Sequence, residues 1–178
     1  MTYINRFDKR GCYKMDEEAT ASFLSLASEK GWSYLKATKK EDCEEHFDWK
    51  ITKNGKEYKV DLKALKRVNS SDTSMTDQLI LVELQAVKSF IEDTRPGWIY
   101  GKADYICFET NDGFVFVPRE KLLSYVETCM PIDQTPRKSN QNKQAHIIYT
   151  RKDRNDKFVY LYKHEILPLA EAIWRKYV

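Results

Sequence analysis

Residues 47–64, which read FDWKITKNGKEYKVDLKA, are the stretch that decides the fold. Large apolar and polar residues alternate from Phe47 to Ile51, and the alternation resumes from Tyr58 to Ala64. A period of two is typical of a β-strand with one buried face. The dipeptide at 54–55, Asn-Gly, is the strongest short signal for a hairpin turn. The sequence therefore predicts a β-hairpin, with about 46–52 paired to 56–65.

The polar side of this hairpin carries Asp48, Asp61 and Lys63. Asp61 and Lys63 share a face about 7 Å apart along the strand, and antiparallel pairing can bring Asp48 alongside Asp61. Neighbouring carboxylates repel each other unless a cation lies between them, and such hard oxygen ligands suit Mg²⁺ or Mn²⁺. A lysine beside them can orient a water or neutralise charge on a phosphate. We expect Asp48 and Asp61 to be metal ligands and all three residues to be catalytic in phosphodiester hydrolysis.

A structural alternative exists for the same three residues. They could form a cross-strand ion pair on a solvated face of the sheet, an arrangement that contributes less than about 1 kcal/mol. His46, two residues before Asp48, could act as a general base, but a lone histidine at the start of a strand is more often structural.

One motif resembles the signature of the PD-(D/E)xK nuclease superfamily. It consists of Asp48, a gap of twelve residues, and then Asp61-Leu62-Lys63. Restriction endonucleases, Holliday-junction resolvases and many phage nucleases belong to this superfamily, and Phe47 stands where the motif name has Pro. The family places a glutamate-bearing helix before the first catalytic strand, which corresponds here to Glu18, or alternatively Glu17. The resemblance covers about 16–109, and the small size of the chain favours a phage- or repair-type member or, alternatively, a subunit of something larger.

The resemblance implies a restriction-endonuclease-like α/β fold (α+β mixed), in which helices flank a mixed central sheet. It also implies Mg²⁺-dependent hydrolysis of DNA that leaves a 5′-phosphate and a 3′-hydroxyl. RNA is an alternative substrate. Many members act as homodimers, and a non-catalytic nucleic-acid-binding or protein-interaction module on the same fold is the alternative to an enzyme.

Around the hairpin, periodicity predicts the other elements. Asp16 is a candidate N-cap and Gly31 a candidate C′ residue for the first helix. A helix at 164–177 is predicted from apolar residues at helical spacing. The predicted elements are a helix at 17–30, strands at 79–87, 98–109 and 114–117, a short helix at 118–126, a second hairpin at 145–151 and 157–162, and the helix at 164–177.

We expect one domain over residues 1–178. Its core spans about 16–126, a flexible excursion rich in Pro, Gln, Asn and Lys covers 131–144, and the second hairpin and final helix follow in 145–178.

Glu83 and Gln85 share one face of the predicted strand 79–87, which we expect to lie beside the Asp61 strand. Glu83 is then a candidate metal ligand, and Gln85 is a candidate catalytic residue that holds a water or a phosphate. The alternative is that both side chains hydrogen-bond a neighbouring loop.

Candidate nucleic-acid contacts come from two segments. Trp98, Tyr100 and Lys102 alternate aromatic and basic side chains, which suits stacking on bases or packing against a sugar-phosphate backbone. Core packing of Trp98 is the alternative. Further basic residues that could reach phosphates, or could be solvated charges in turns, are Lys66, Arg67, Arg151, Lys152, Arg154 and Lys157.

The composition limits the class of protein. The 178 residues carry a net charge of +3, and residues 131–178 hold 10 Lys and Arg against 5 Asp and Glu, a weak hint of a segment that faces a polyanion. No apolar run approaches the length of a membrane span, and the polar N-terminus lacks a signal sequence. We therefore expect a cytoplasmic protein with no membrane partner, whose four widely spaced cysteines stay reduced.

Overall fold

The computed structural model describes residues 9–65, 77–87, 94–130, 134–139, 143–151 and 154–176. Within these ranges the elements follow the order α1 (Lys9–Glu29), β1 (Ser33–Lys36), α2 (Lys39–Glu45), β2 (Trp49–Lys53), β3 (Lys56–Lys63), β4 (Leu79–Val87), β5 (Thr94–Pro96), a 3₁₀ turn (Trp98–Tyr100), β6 (Tyr105–Thr110), β7 (Gly113–Pro118), α3 (Arg119–Cys129), β8 (Arg137–Lys138), β9 (Ile148–Thr150), β10 (Lys157–Tyr162), α4 (Lys163–Ile166), a second 3₁₀ turn (Leu167–Leu169) and β11 (Ala172–Arg175).

The strands form two mixed sheets. The larger has the order β1-β2-β3-β6-β7-β11, and the smaller has the order β5-β4-β10-β9-β8. One parallel pair occurs in each, β3 with β6 and β8 with β9, and the other described pairs are antiparallel. This arrangement confirms the predicted mixed α+β class with a central mixed sheet and flanking helices.

The two faces of the larger sheet are buried against different layers. On one face, Phe23 of α1 packs with Val60 and Trp174 in one core cluster. On the other face, Ile106 packs with residues of the smaller sheet and of α3 in a second cluster. Because side chains alternate along β3, Val60 faces α1 and Asp61 faces the space between the two sheets.

The first hairpin is confirmed. Trp49 of β2 lies opposite Val60 of β3, and the turn residues Asn54 and Gly55 have φ angles of 51° and 74°. Positive φ at both central positions is the requirement of a type I′ turn, which Asn-Gly meets at little steric cost. The strand itself begins at Trp49, so Asp48 lies just outside it.

The first helix begins at Lys9, eight residues before its predicted start, and Asp16 therefore lies inside it rather than at its cap. The single Gly11 in this stretch costs only about 1 kcal/mol, which does not end a helix. The predicted stop is confirmed, because Gly31 has φ 72° and the Trp32 N–H donates to the Ala27 carbonyl at 2.9 Å. None of the helices in the described ranges combines the length and apolar character that crossing a membrane requires.

The predicted strand 98–109 is shorter than expected. Its first part is the 3₁₀ turn Trp98–Tyr100, and the strand begins at Tyr105. Gly97, just before the turn, runs so close to β4 that a Cβ at this position would collide with the backbone carbonyl of Glu83. The chain can therefore cross β4 here only with a glycine.

The second hairpin is confirmed by the pairing of β9 with β10, but the prediction of a final helix at 164–177 is wrong. Helix α4 ends at Ile166, and the chain then forms β11 against β7. Pro168 disfavours continuation of the helix. Trp174 is 7% exposed whereas Ile173 is 47% exposed, the alternation of a strand and not the shared face of a helix.

Candidate active site

Asp48 and Asp61 meet where β2 begins and β3 approaches its end. Extending the register from the Trp49–Val60 pair places Asp48 opposite Asp61. The backbone fixes Asp48 twice: its N–H donates to the Val60 carbonyl at 2.9 Å, and its Oδ2 accepts from the Leu62 N–H at 2.7 Å. The structure thus brings together the two carboxylates that the hairpin pattern singled out.

Asp61 lies deep in the protein, with 3% of its surface exposed. The Lys63 Nζ is 2.8 Å from its Oδ2, so the ammonium is the ion-pair partner of this buried oxygen. Burial raises the pKa of Asp61 to about 7, and the nearby charge of Asp48 adds to this, whereas Lys63 works in the opposite direction. The carboxylate is therefore held in a site that penalises its negative charge.

Lys63 completes the site from the same strand face. Its Nζ lies 4.8 Å from the centre of the Trp98 ring, and 29% of its side chain is exposed. Burial lowers the pKa of Lys63, but the carboxylates of Asp61 and Asp48 outweigh that effect and raise it overall. The ammonium consequently remains charged at neutral pH.

The alternative of an ion pair on a solvated sheet face does not describe Asp61. Its side chain points into the space between the two sheets and is almost completely buried. A buried ion pair gains little or nothing over apolar packing, because each charge loses its hydration. Strongly shifted carboxyl groups of this kind are concentrated at functional sites.

The pair of carboxylates fits a hydrated divalent cation. Asp61 Oδ2 is a buried oxygen whose partner is the Lys63 ammonium, and the strand register places Asp48 opposite Asp61. In the described ranges, no group of three or more His, Cys, Asp or Glu side chains is arranged around a common centre. Mg²⁺ is commonly held by one or two carboxylates, with waters and substrate phosphates as the other ligands. Asp48 and Asp61 would hold it here.

The strand that carries Glu83 and Gln85 is not where the sequence predicted. β4 pairs with β5 and β10, so the expectation that it adjoins the Asp61 strand is wrong. Gln85 donates to the carbonyl of Asn155, as the loop alternative anticipated. Glu83 is near enough for its charge to raise the pKa of Lys63.

The structure does not bring the helix glutamates to the site. Glu17 and Glu18 are exposed on α1, which covers the opposite face of the larger sheet. The sheet itself separates them from Asp61.

The candidate nucleic-acid residues lie in varied surroundings. Trp98 is buried under Lys63 and packs with the core, so its ring supports the ammonium rather than facing solvent. Tyr100 and Lys102 are exposed nearby, and the Lys102 Nζ is 3.8 Å from Glu45. Of this segment, Tyr100 and Lys102 remain available to a polyanion.

In the second hairpin, Arg151 pairs with the buried Asp156 at 3.0 Å, which ties it into its own turn. Arg154 is exposed and Lys157 is partly buried. Lys66, Arg67 and Lys152 lie outside the described residues.

Two further groups are His46, which the sequence offered as a possible general base, and Arg95. His46 adopts a left-handed conformation with φ 56°, directly after α2. Burial lowers the pKa of His46, and the charges of Arg95 and Lys63 lower it further. Arg95 therefore lies within electrostatic range of His46, although in the sequence it only precedes the Pro-Gly pair that breaks the chain.

Comparisons with known proteins add a neighbour for the fold. No protein-family description matches the chain, and no curated protein matches it significantly. Among solved structures, the bacterial homing endonuclease I-Ssp6803I superposes with a TM-score of 0.47 at 17% identity, over 74% of this chain and 83% of that chain. The likeness concerns the arrangement of helices and strands alone.

The elevated pKa of Asp61 predicts a pH-dependent stability in EDTA. The folded state retains a proton on Asp61 up to about pH 7, whereas the unfolded chain releases it near its ordinary pKa of 3.8. The contribution of Asp61 to the free energy of unfolding should therefore fall as pH rises from about 4 to 7, by roughly 1 kcal/mol for each pH unit.

Urea unfolding of the wild type and of Asp61→Asn, measured between pH 4 and 7 in EDTA, tests this pH dependence. The asparagine variant lacks this titration, so its loss of stability between pH 4 and 7 should be smaller than that of the wild type. Parallel curves for the two proteins would show that Asp61 titrates normally.

Proposed function

We propose that the protein is a metal-dependent nuclease that hydrolyses phosphodiester bonds in DNA, with Mg²⁺ or Mn²⁺ as its cofactor. The observation that carries the proposal is the buried carboxylate of Asp61, which lies opposite Asp48 and has its Oδ2 2.8 Å from the Lys63 ammonium. Two carboxylates and an ammonium at one end of the hairpin are the protein groups that metal-assisted phosphodiester hydrolysis needs.

In this proposal each side chain has a separate role. Asp48 and Asp61 bind and orient the cation, which when bound polarises the phosphate and lowers the pKa of a coordinated water. Lys63 positions the attacking water and offsets the negative charge that develops on the phosphate oxygens. Trp98 supports Lys63 from below, because its ring lies 4.8 Å from the ammonium.

A nuclease assay with controlled metal content tests the proposal. Labelled duplex DNA and RNA, and supercoiled plasmid, are incubated with the purified protein in Mg²⁺, in Mn²⁺ and in EDTA. We expect DNA cleavage in either metal, no cleavage in EDTA, and products with a 5′-phosphate and a 3′-hydroxyl.

Two outcomes would change this conclusion. Cleavage of RNA in preference to DNA would mean that RNA is the substrate of this site. A folded protein that cleaves neither nucleic acid in any metal would be a non-catalytic module, and the proposal would be wrong.

A further inference from the structure

A second cluster of charged side chains lies beside the Asp61–Lys63 pair, on the same face of the first hairpin. Lys59 is two residues from Asp61 in β3, so its side chain leaves the strand on the same side, about 7 Å away along the chain. The Lys59 Nζ lies 4.8 Å from the centre of the Phe47 ring, and Phe47 directly precedes Asp48. These two relations place Lys59 next to the candidate active site.

One carboxylate, that of Glu45 at the end of α2, lies between two lysines. Its Oε2 accepts a hydrogen bond from the Lys59 Nζ at 2.7 Å, and its Oε1 is 3.8 Å from the Lys102 Nζ. The Lys59 side chain is 32% exposed and that of Lys102 is 69% exposed, so a dissolved anion can reach both ammonium groups. These three side chains carry two positive charges and one negative charge, and the excess positive charge attracts a further anion.

Contacts other than the Glu45 carboxylate hold α2 in place. Near the start of the helix, Glu41 pairs with the Lys50 Nζ at 2.5 Å. At its end, the Lys102 N–H donates to the backbone carbonyl of Glu45 at 2.7 Å, and a Cβ on Gly101 would lie only 2.7 Å from that same carbonyl oxygen. Because the backbone is fixed in this way, the Glu45 side chain can leave the two lysines while the helix stays docked.

We propose that Lys59 and Lys102 form a binding subsite for a DNA phosphate beside the one that is cleaved, and that the Glu45 carboxylate occupies this subsite until DNA displaces it. This inference rests on the nuclease function proposed above. Carboxylate and phosphate groups both offer negatively charged oxygens to an ammonium group. A partly exposed ion pair contributes little to stability, so the phosphate of a polyanion can replace it. Glu45 is thus a competitor that lowers the affinity for DNA.

The test measures the affinity of full-length variants for a labelled DNA duplex in EDTA, over a series of salt concentrations. E45Q removes the competing charge, and K59Q and K102Q each remove one proposed phosphate contact. The matched controls are E44Q, which neutralises the adjacent exposed glutamate of α2, and K56Q, which neutralises an exposed lysine of β3. Far-ultraviolet circular dichroism verifies that each variant is folded.

We expect E45Q to bind DNA about 5-fold more tightly than the wild type, with the same slope of log affinity against log salt. K59Q and K102Q should bind more weakly, and each should lose about one unit of slope, the signature of one lost phosphate contact. E44Q should gain less than about 2-fold, because salt screens a charge that does not touch the subsite, and K56Q should match the wild type.

A double-mutant cycle isolates the competition itself. In a K59Q background, E45Q should raise the affinity by less than it does in the wild type, because both substitutions act on the same subsite. An equal gain in the two backgrounds would show that Glu45 acts through the overall charge of the protein and would overturn the inference.

An E45Q protein that binds no more tightly than E44Q would also overturn it, as would unchanged salt slopes in K59Q and K102Q. If E45Q or K59Q does not fold, K102Q decides, because that side chain is mostly exposed and a wild-type slope in the variant would exclude the subsite.

Cleavage in Mg²⁺ is measured separately, so the two proposals can fail independently. If the wild type cleaves DNA and the binding results contradict the subsite, only this inference is wrong. If the wild type binds DNA with the expected salt dependence in all variants but cleaves nothing, the nuclease activity is wrong and the phosphate-binding role of Lys59 and Lys102 stands. A wild type that binds no DNA would overturn both.

Discussion

Asp61→Asn is expected to reduce Mg²⁺-dependent DNA cleavage by about 1,000-fold. The amide has no negative charge and replaces one carboxylate oxygen with a donor group, so the site loses half of its carboxylate pair. Lys63→Ala should produce a comparable loss, because it removes the ammonium that lies 2.8 Å from Asp61. Both are measured as single-turnover rates on labelled duplex DNA.

The matched control is Asp112→Asn, which makes the same chemical change at an exposed carboxylate in the turn between β6 and β7. It should cleave like the wild type, and DNA affinity in EDTA should change little in Asp61→Asn and Lys63→Ala. An Asp61→Asn protein that cleaves at the wild-type rate in Mg²⁺ would refute the proposed mechanism.

Trp174→Ala is expected to lower the free energy of unfolding by about 3–5 kcal/mol. Its indole lies 4.5 Å from the Phe116 ring and 5.5 Å from the Phe23 ring, between the larger sheet and α1. The neighbouring Ile173→Ala should cost less than about 1 kcal/mol, because that side chain is half exposed on the edge strand. Urea unfolding in EDTA measures both.

This pair of variants distinguishes the strand from the helix that the sequence predicted. A helix over 164–177 would bury Ile173 and Trp174 on one face, and the two substitutions would then have similar costs. Large, similar losses in both variants would contradict the pairing of β11 with β7.

The C-terminal segment shows where reading the sequence alone fails. Helical spacing fits the apolar residues at 166, 169, 170, 173 and 174. Residues 172–175 fit the two-residue period of a strand as well. A segment this short does not distinguish a helical period from a strand period. Pairing with β7 and the aromatic contacts of Trp174 decide it, and both come from residues far away in the chain.

The expectation that a glutamate of the first helix lies at the site was wrong for a related reason. The resemblance placed Glu18 or Glu17 near the carboxylates because the order of elements agreed with the family. The order of elements does not determine which face of the sheet a helix covers, and α1 lies on the face opposite Asp61.

By itself, the sequence determined the first hairpin and the face that Asp48, Asp61 and Lys63 share, because a two-residue period and an Asn-Gly turn act between near neighbours. Only the tertiary structure decided that Asp61 is buried and that Trp98 supports Lys63. These properties depend on how the second sheet packs against the first, and such contacts between distant residues leave no local pattern in the chain.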